Sequence, residues 1–97
     1  AEVNMNEVKK AVVSVLGADQ RGIIARVTKI LYDFDVNVLD ISQTILSGLF
    51  SMIMVVDVSS ERSDFDAISH ELAALGERMN LQVRIQNGEI FDAMHHI

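Results

Sequence analysis

The residues best suited to binding a small charged molecule lie in one short polar loop and at the start of a later apolar segment. Asp19 and Arg21 place a carboxylate and a guanidinium two residues apart, and Gly22 follows them. A carboxylate attracts an ammonium group and a guanidinium attracts a carboxylate, while a glycine lets a ligand reach the backbone. Asn37, which precedes an apolar run, both donates and accepts hydrogen bonds.

Each of these residues also has an ordinary structural role. Asp19 is also a common loop or capping residue, and Asn37 can bridge a helix-to-strand turn. Gly22 satisfies a turn or a packing requirement, and Arg21 is by default a solvated surface charge. The residue types alone leave both interpretations open.

The three histidines do not form a convincing metal site. His95 and His96 are adjacent, so on a helix their side chains point about 100° apart, and His70 lies far away in the sequence. The chain has no cysteine, which excludes thiolate ligands, disulfides and thiol nucleophiles. We therefore expect no metal and no cofactor.

Catalysis is not expected either. The hydroxyl residues Ser14, Thr28 and Ser42 have no histidine at a spacing that suggests a nucleophile and its base. The chain resembles the acylphosphatases only in having an arginine, Arg21, in the first loop and an asparagine, Asn37, on the second strand. That family's glutamine-glycine-valine loop context is missing, so an acylphosphatase-like enzyme is a remote alternative.

The elements that must position these residues follow from hydrophobic periodicity. Apolar residues recur at helical spacing from Ile23 to Phe34 and from Phe65 to Met79. Short β-branched or alternating runs indicate strands, and Ser47-Gly48 is typical of a hairpin turn; the predicted strands are Lys10 to Leu16, Val36 to Leu46, Leu49 to Val58 and Leu81 to Gln86. The order predicts an α+β, ferredoxin-like βαββαβ fold: a four-stranded antiparallel sheet with two helices on one face.

Composition limits the function classes. The 97 residues make one domain, and 8 Lys plus Arg against 14 Asp plus Glu give a net charge of −6 with no basic stripe. Nucleic acid is therefore not an expected partner. The apolar runs are shorter than the ~20 residues that span a bilayer, so no membrane partner is expected, and the cytoplasm is the default compartment.

The high apolar content, 49% with a mean hydropathy of +0.26, suggests a second buried surface. The third strand is apolar on both faces, and two helices cover only one of them. Ile90, Phe91, Met94 and Ile97 fall on one helical face at the C-terminus. We predict a domain over residues 10–87 and a short C-terminal helix over 88–97, which covers the other face in its own chain or in a homodimer.

Several segments carry a family resemblance. The loop Gly17 to Ile23 (GADQRGI), the strand opening Val36 to Val38, the run Asp40 to Thr44 and the tail Ile90 to Met94 resemble an ACT domain. The chain looks closest to small, uncharacterised proteins that consist of one ACT domain. A looser likeness is to the ACT domains of the glycine cleavage system transcriptional repressor and of formyltetrahydrofolate hydrolase.

The resemblance implies a regulatory domain that binds an amino acid at a homodimer interface. When the family's binding positions are transferred to this sequence, the ligand-binding residues are Asp19, Arg21, Gly22, Ile23 and Asn37. The start of a helix at Ile23 suits a carboxylate, since its first N–H groups lack intrahelical acceptors. The alternative is a protein–protein interaction module without a small ligand, docking on a partner protein.

The sequence departs from the family pattern at three positions. Asp19 stands where many relatives have asparagine, and Arg21 where a proline is common. Phe34-Asp35 replaces the usual leucine–glycine at the end of the first helix, which predicts a left-handed backbone at Asp35. A zwitterion with its ammonium group at Asp19 and its carboxylate at the helix end or at Arg21 would satisfy the first two changes.

Overall fold

A computed structural model describes residues 9–88. Six elements alternate in the predicted order: β1 (Lys10–Ala18), α1 (Ile23–Asp33), β2 (Asn37–Leu46), β3 (Leu49–Asp57), α2 (Phe65–Met79) and β4 (Leu81–Asn87). All six elements predicted within residues 9–88 are present, with boundaries shifted by two residues at most. The α+β, ferredoxin-like prediction is confirmed.

The four strands form one antiparallel sheet in the order β2-β3-β1-β4. At one end of the sheet Lys10 pairs with Asp57 and Asp57 with Asn37. At the other end Ala18 pairs with Leu49, next to the β2–β3 hairpin. The strands β2 and β4 are the two edges, so β2 has a neighbour on one side only.

Both helices pack on the same side of the sheet. Alternate residues of β1 and β3 point to that side and are buried, as the pattern predicts for strands with one covered face. The largest fully buried side chains are Val13, Val15, Val27, Leu31, Met52, Met54, Val56, Ile68, Leu72 and Leu75. This single cluster is the core, and Met52 and Met54 fill it as expected of flexible methionines.

Local residues fix the turns between the elements. Ser47 and Gly48 have φ of 52° and 80°, as a two-residue hairpin with positive φ at both positions requires. Asp35 has φ 56°, which confirms the predicted left-handed end of α1. Its carboxylate accepts a hydrogen bond from the Ser60 hydroxyl at 2.7 Å, so the loop before β2 is tied to the loop before α2.

The surface of the sheet opposite the helices, here called the open face, is uncovered among the described residues. Its middle is contributed by β1 and β3: Val12, Ser14, Leu16, Leu49, Ser51, Ile53 and Val55. Ile53 is 51% exposed and Leu49 48%, so the prediction that β3 is apolar on both faces is confirmed. The rim of the open face carries Asp40, Ser42 and Thr44 on β2 and Gln82, Arg84 and Gln86 on β4. It also includes the apolar Leu46 at the hairpin end of β2, 71% exposed.

The predicted C-terminal helix lies outside the described residues, which end at Gly88 directly after β4. No helix in the part of the chain that the structure describes is long and apolar enough to cross a membrane.

Candidate functional site

The loop between β1 and α1 is anchored at the hairpin end of the sheet. The Asp19 backbone N–H donates to the Gly48 carbonyl at 2.8 Å. The Gln20 side chain donates to the Met79 carbonyl at 2.9 Å and to the Ala18 carbonyl at 3.2 Å. The loop is therefore held by the β2–β3 hairpin on one side and by the end of α2 on the other.

The start of α1 has no side-chain cap. Gly22 is the N-cap residue, with φ 83° and ψ 8°, and no side chain accepts a hydrogen bond from the first turn. A capping role for Asp19 is therefore wrong. The first turn also contains no acidic residue, so the partial positive charge at this helix end is not offset there. The side chain of Ile23 is 2% exposed, so Ile23 can offer a ligand its backbone N–H only.

Arg26 is a member of this site that the sequence interpretation missed. Its Nε lies 3.5 Å from the point where a Cβ at Gly22 would be, so the guanidinium lies beside the start of the helix. The signal was the spacing: residues four apart share one face of a helix, and Arg26 is four residues after Gly22. Arg21 and Arg26 thus give this helix end two cations.

The charged side chains of the loop are available for binding. Within residues 9–88, Asp19, Arg21 and Arg26 form no side-chain hydrogen bond, and the one ion pair described there joins Lys29 to Asp33 at 2.9 Å. All three are exposed. The structure therefore brings Asp19, Arg21, Gly22 and Ile23 together, with Arg26 added.

Asn37 is not part of this group within one chain. It is the first residue of β2 and pairs with Asp57, at the end of the sheet opposite the loop. The neighbouring strand β1 is 9 residues long, so its two ends lie about 26 Å apart at the usual rise of a strand. Arg21 and Asn37 of one chain therefore cannot hold the same phosphoryl group, which removes the geometric basis of the acylphosphatase alternative.

The edge strand β2 is exposed along its whole length. All ten residues are exposed, including Ile41 at 44% and Ile45 at 56% on the side that faces the helices. Gln43 lies between them on the same side. The strand contains no Lys, Arg or Pro, although a bulge between Val38 and Asp40 interrupts its register. An edge with unpaired backbone groups and so little protection is a place where another strand can add.

The described residues contain no group of three or more histidines, cysteines and acids that could hold a metal. His70 is exposed on α2, and His95 and His96 lie outside the described residues.

Comparison with known proteins agrees with this architecture. The family described as "ACT domain" matches residues 9–86. A UPF0237 protein from Methanocaldococcus jannaschii is 47% identical over 88 residues, covering 91% of this chain and 98% of the relative. The solved structure of an ACT domain protein from Streptococcus pneumoniae superimposes with a TM-score of 0.73 at 36% identity, covering 86% of this chain and 93% of that one.

More distant structures share the fold. A protein described as a glycine cleavage system transcriptional repressor matches with a TM-score of 0.73 at 19% identity, over 82% of this chain and 46% of that one. Formyltetrahydrofolate deformylase from Pseudomonas syringae matches with a TM-score of 0.74 at 20% identity, over 82% and 28%. The resemblances drawn from the sequence are thus confirmed at the level of family and fold. The chain belongs to the ACT domain family, whose members are in general regulatory domains that bind small ligands.

Proposed function

We propose that this protein is a regulatory homodimer that binds an amino acid at the start of α1. The observation that carries the proposal is the uncapped end of α1 at Gly22, with Arg26 beside it and the exposed Arg21 one residue before it. A helix N-terminus with two guanidinium groups is suited to a carboxylate. Asp19, on the same loop, supplies the charge that an ammonium group needs.

The dimer in this proposal forms through the β2 edges. Two copies of an edge strand related by a two-fold axis pair in antiparallel fashion. The start of the partner's β2 then lies beside the end of this β2, near the hairpin that holds the loop. Such pairing would bring the partner subunit's Asn37 toward the loop, whereas within one chain the two are about 26 Å apart. The proposed ligand site is therefore shared between subunits.

The charge pattern selects the ligand class. The site offers two cations and the helix end to the carboxylate, and one anion, Asp19, to the rest of the molecule. A simple carboxylic acid leaves Asp19 unpaired and repelled, whereas an α-amino acid pairs with it. A ligand bound at the interface between the two subunits would change the dimer, and therefore its contact with a partner protein. We propose that the protein acts in the cytoplasm.

Calorimetry with the twenty amino acids, each compared with its analogue lacking the amino group, tests the site. We expect binding of at least one amino acid and much weaker binding of its analogue. In Asp19→Asn this preference should fall, because the ammonium group loses its carboxylate; a loss of about tenfold corresponds to roughly 1.4 kcal/mol. Asp66→Asn, which removes the same charge from the first turn of α2, is the matched control and should bind normally.

Failure of every amino acid to bind, with the protein folded and dimeric, would overturn the ligand part of this proposal. Equal binding of amino acids and their analogues would instead show that Asp19 does not contact the ligand.

An interaction module without a small ligand is the second candidate function. Its support is the apolar exposure of β2, where Ile41 and Ile45 are about half exposed. A partner protein could add a strand at this edge. Specific protein binding that no amino acid alters would favour this candidate over the sensor.

A further inference from the structure

The open face of the sheet carries an apolar stripe along its two central strands. Ile53 is 51% exposed, Leu49 48% and Leu16 42%. Val12 and Val55, which pair with each other, are half-buried and continue the stripe. Because α1 and α2 both pack on the other side, no described residue covers it, and contiguous exposed apolar surface of this kind usually marks a contact site.

The register places the stripe lengthwise along the strands. It begins at the pair of Val12 and Val55 and ends at the hairpin, where Leu49 pairs with Ala18 on one side and with Leu46 on the other. From Val12 to Ala18 its length is about 20 Å at the usual rise of a strand. An α-helix of about 13 residues has the same length.

The stripe is also one helix wide. Apart from Leu46, only β1 and β3 contribute to it. Neighbouring strands are about 4.8 Å apart, so the whole face is about 14 Å across, and a helix with its side chains has a diameter of about 10–12 Å. A helix therefore covers the central strands and leaves the outer sides of β2 and β4 in water. A second sheet, as in a face-to-face dimer, would also bury the polar side chains of the rim, which costs free energy.

Two serines give the stripe an uneven surface. Ser14 pairs with Ile53, and Ser51 pairs with Leu16, so a short side chain lies opposite a long one in both pairs. A groove of about 290 Å³ runs past both serines and reaches Arg84 on β4. Large side chains of a helix can insert into such a groove, as ridges do when helices pack.

The two rims of the open face carry one charge each, of opposite sign. Arg84 is the only charged residue of β4, and Asp40 is the only one of β2. Arg84 pairs with Ser14 and Asp40 with Val55, so both charges flank the half of the stripe that begins at Val12. Arg84 has no ion-pair partner within residues 9–88. A helix between the rims matches both charges if its flank toward β4 is acidic and its flank toward β2 is basic.

We propose that the open face binds an amphipathic helix of a partner protein. The helix has about 13 residues, an aliphatic stripe that packs on β1 and β3, and an acidic flank beside Arg84. This contact is separate from the β2 edge, which offers backbone groups to a strand. It is also separate from the loop before α1, so the proposal holds whether or not an amino acid binds there.

Selection from two displayed peptide libraries tests the proposal on the intact protein. The peptides of both libraries have about 14 residues and the same number of aliphatic residues, with all other positions randomised. The aliphatic residues recur at helical spacing in the first library and alternate at strand spacing in the second. We expect enrichment from the first library, of peptides with Asp or Glu on one flank. Enrichment from the second library only, or from neither because a second copy already covers the face, would overturn the proposal.

A matched pair of variants locates the bound peptide. Ile53→Asp places a charge in the stripe, whereas Ile45→Asp makes the same change at a similarly exposed residue (56%) on the other side of the sheet. Ile53→Asp should weaken binding of an enriched peptide by about tenfold or more in fluorescence anisotropy. Ile45→Asp should leave it unchanged. Equal effects of the two variants, or no effect of either, would contradict the proposal.

A second pair tests the charge match. Arg84→Gln should weaken binding by about two- to fivefold, as expected for an exposed ion pair, whereas Arg78→Gln removes the same charge from the exposed end of α2 and should have no effect. The loss in Arg84→Gln should disappear for a peptide whose acidic residues are replaced by their amides, since the pair is then already broken. A loss that persists with the amide peptide would show that the acidic flank does not face Arg84 and would overturn that part of the proposal.

Discussion

At the scale of single residues, the site depends on a backbone conformation that favours glycine. Gly22 adopts φ 83° at the N-cap of α1, where no side chain caps the helix. Serine and aspartate cap a helix from an extended backbone and would be strained at this φ, so the first-turn N–H groups stay free of a side-chain cap. Gly22 is therefore favoured by the backbone conformation, and it also leaves the first turn of α1 without a side-chain cap.

Gly22→Ala tests that combination, with Gly48→Ala as its control. Both residues have positive φ, 83° and 80°, and each substitution should cost roughly 1 kcal/mol of folding free energy. That cost lowers the melting temperature by about 4–8 °C for a domain of this size. Only at Gly22 does the new methyl group lie beside Arg26, so only that variant should lose amino-acid binding. Equal retention of binding in calorimetry would show that the ligand lies elsewhere.

At the scale of elements, the two helices begin in different ways. The Asp64 carboxylate accepts a hydrogen bond from the Ala67 N–H at 3.2 Å and caps α2, whereas α1 has no such bond. The ordinary start of α2 serves stability, and the bare start of α1 is available for binding. The contrast is what singles out α1 as the candidate site.

Asp64→Ala should therefore destabilise the fold without affecting the proposed ligand. Loss of the cap costs about 1 kcal/mol, measurable by thermal denaturation at a fixed protein concentration. Asp66→Ala is the control: it removes a charge from the same turn but no hydrogen bond of the cap, so its effect should be smaller. An effect of Asp66→Ala equal to that of Asp64→Ala would mean that charge at the helix end, rather than the cap, stabilises α2.

At the scale of the whole molecule, the sheet has two unprotected surfaces with different needs. The β2 edge offers backbone groups to another strand, whereas the open face exposes apolar side chains. We assign the edge to a second subunit.

The edge assignment predicts that Ile45→Lys weakens the dimer. Ile45 lies on β2 and is 56% exposed, so the change should be tolerated by the fold. In the antiparallel pairing each Ile45 lies beside the start of the partner strand, so a lysine there takes a charge into the interface and should raise the dissociation constant by about tenfold or more. Sedimentation velocity over a dilution series measures it. His70→Lys, which adds the same charge on the exposed side of α2, should sediment like the unmodified protein; an unchanged Ile45→Lys dimer would place the interface elsewhere.

The sequence by itself determined the elements, their order and the fold class. These depend on periodicity and on local signals such as Ser47-Gly48, and they were confirmed within two residues. The left-handed backbone of Asp35 was predicted from the resemblance, because Asp35 stands where the family has the glycine that ends the helix. The loop residues of the candidate site could be found because they are neighbours in the chain.

Only the tertiary structure decided which of the candidate residues can act together. It separated Asn37 from the loop by the length of the sheet, since β2 begins where β1 begins and not where β1 ends. It also showed that Asp19 does not cap the helix, whereas the position of Arg26 beside Gly22 follows from their spacing of four residues. Such relations depend on distances between elements, which residue types and periodicity do not encode. The physical reason is that a sequence pattern fixes which face a side chain takes, while the packing of strands and helices fixes what that side chain meets.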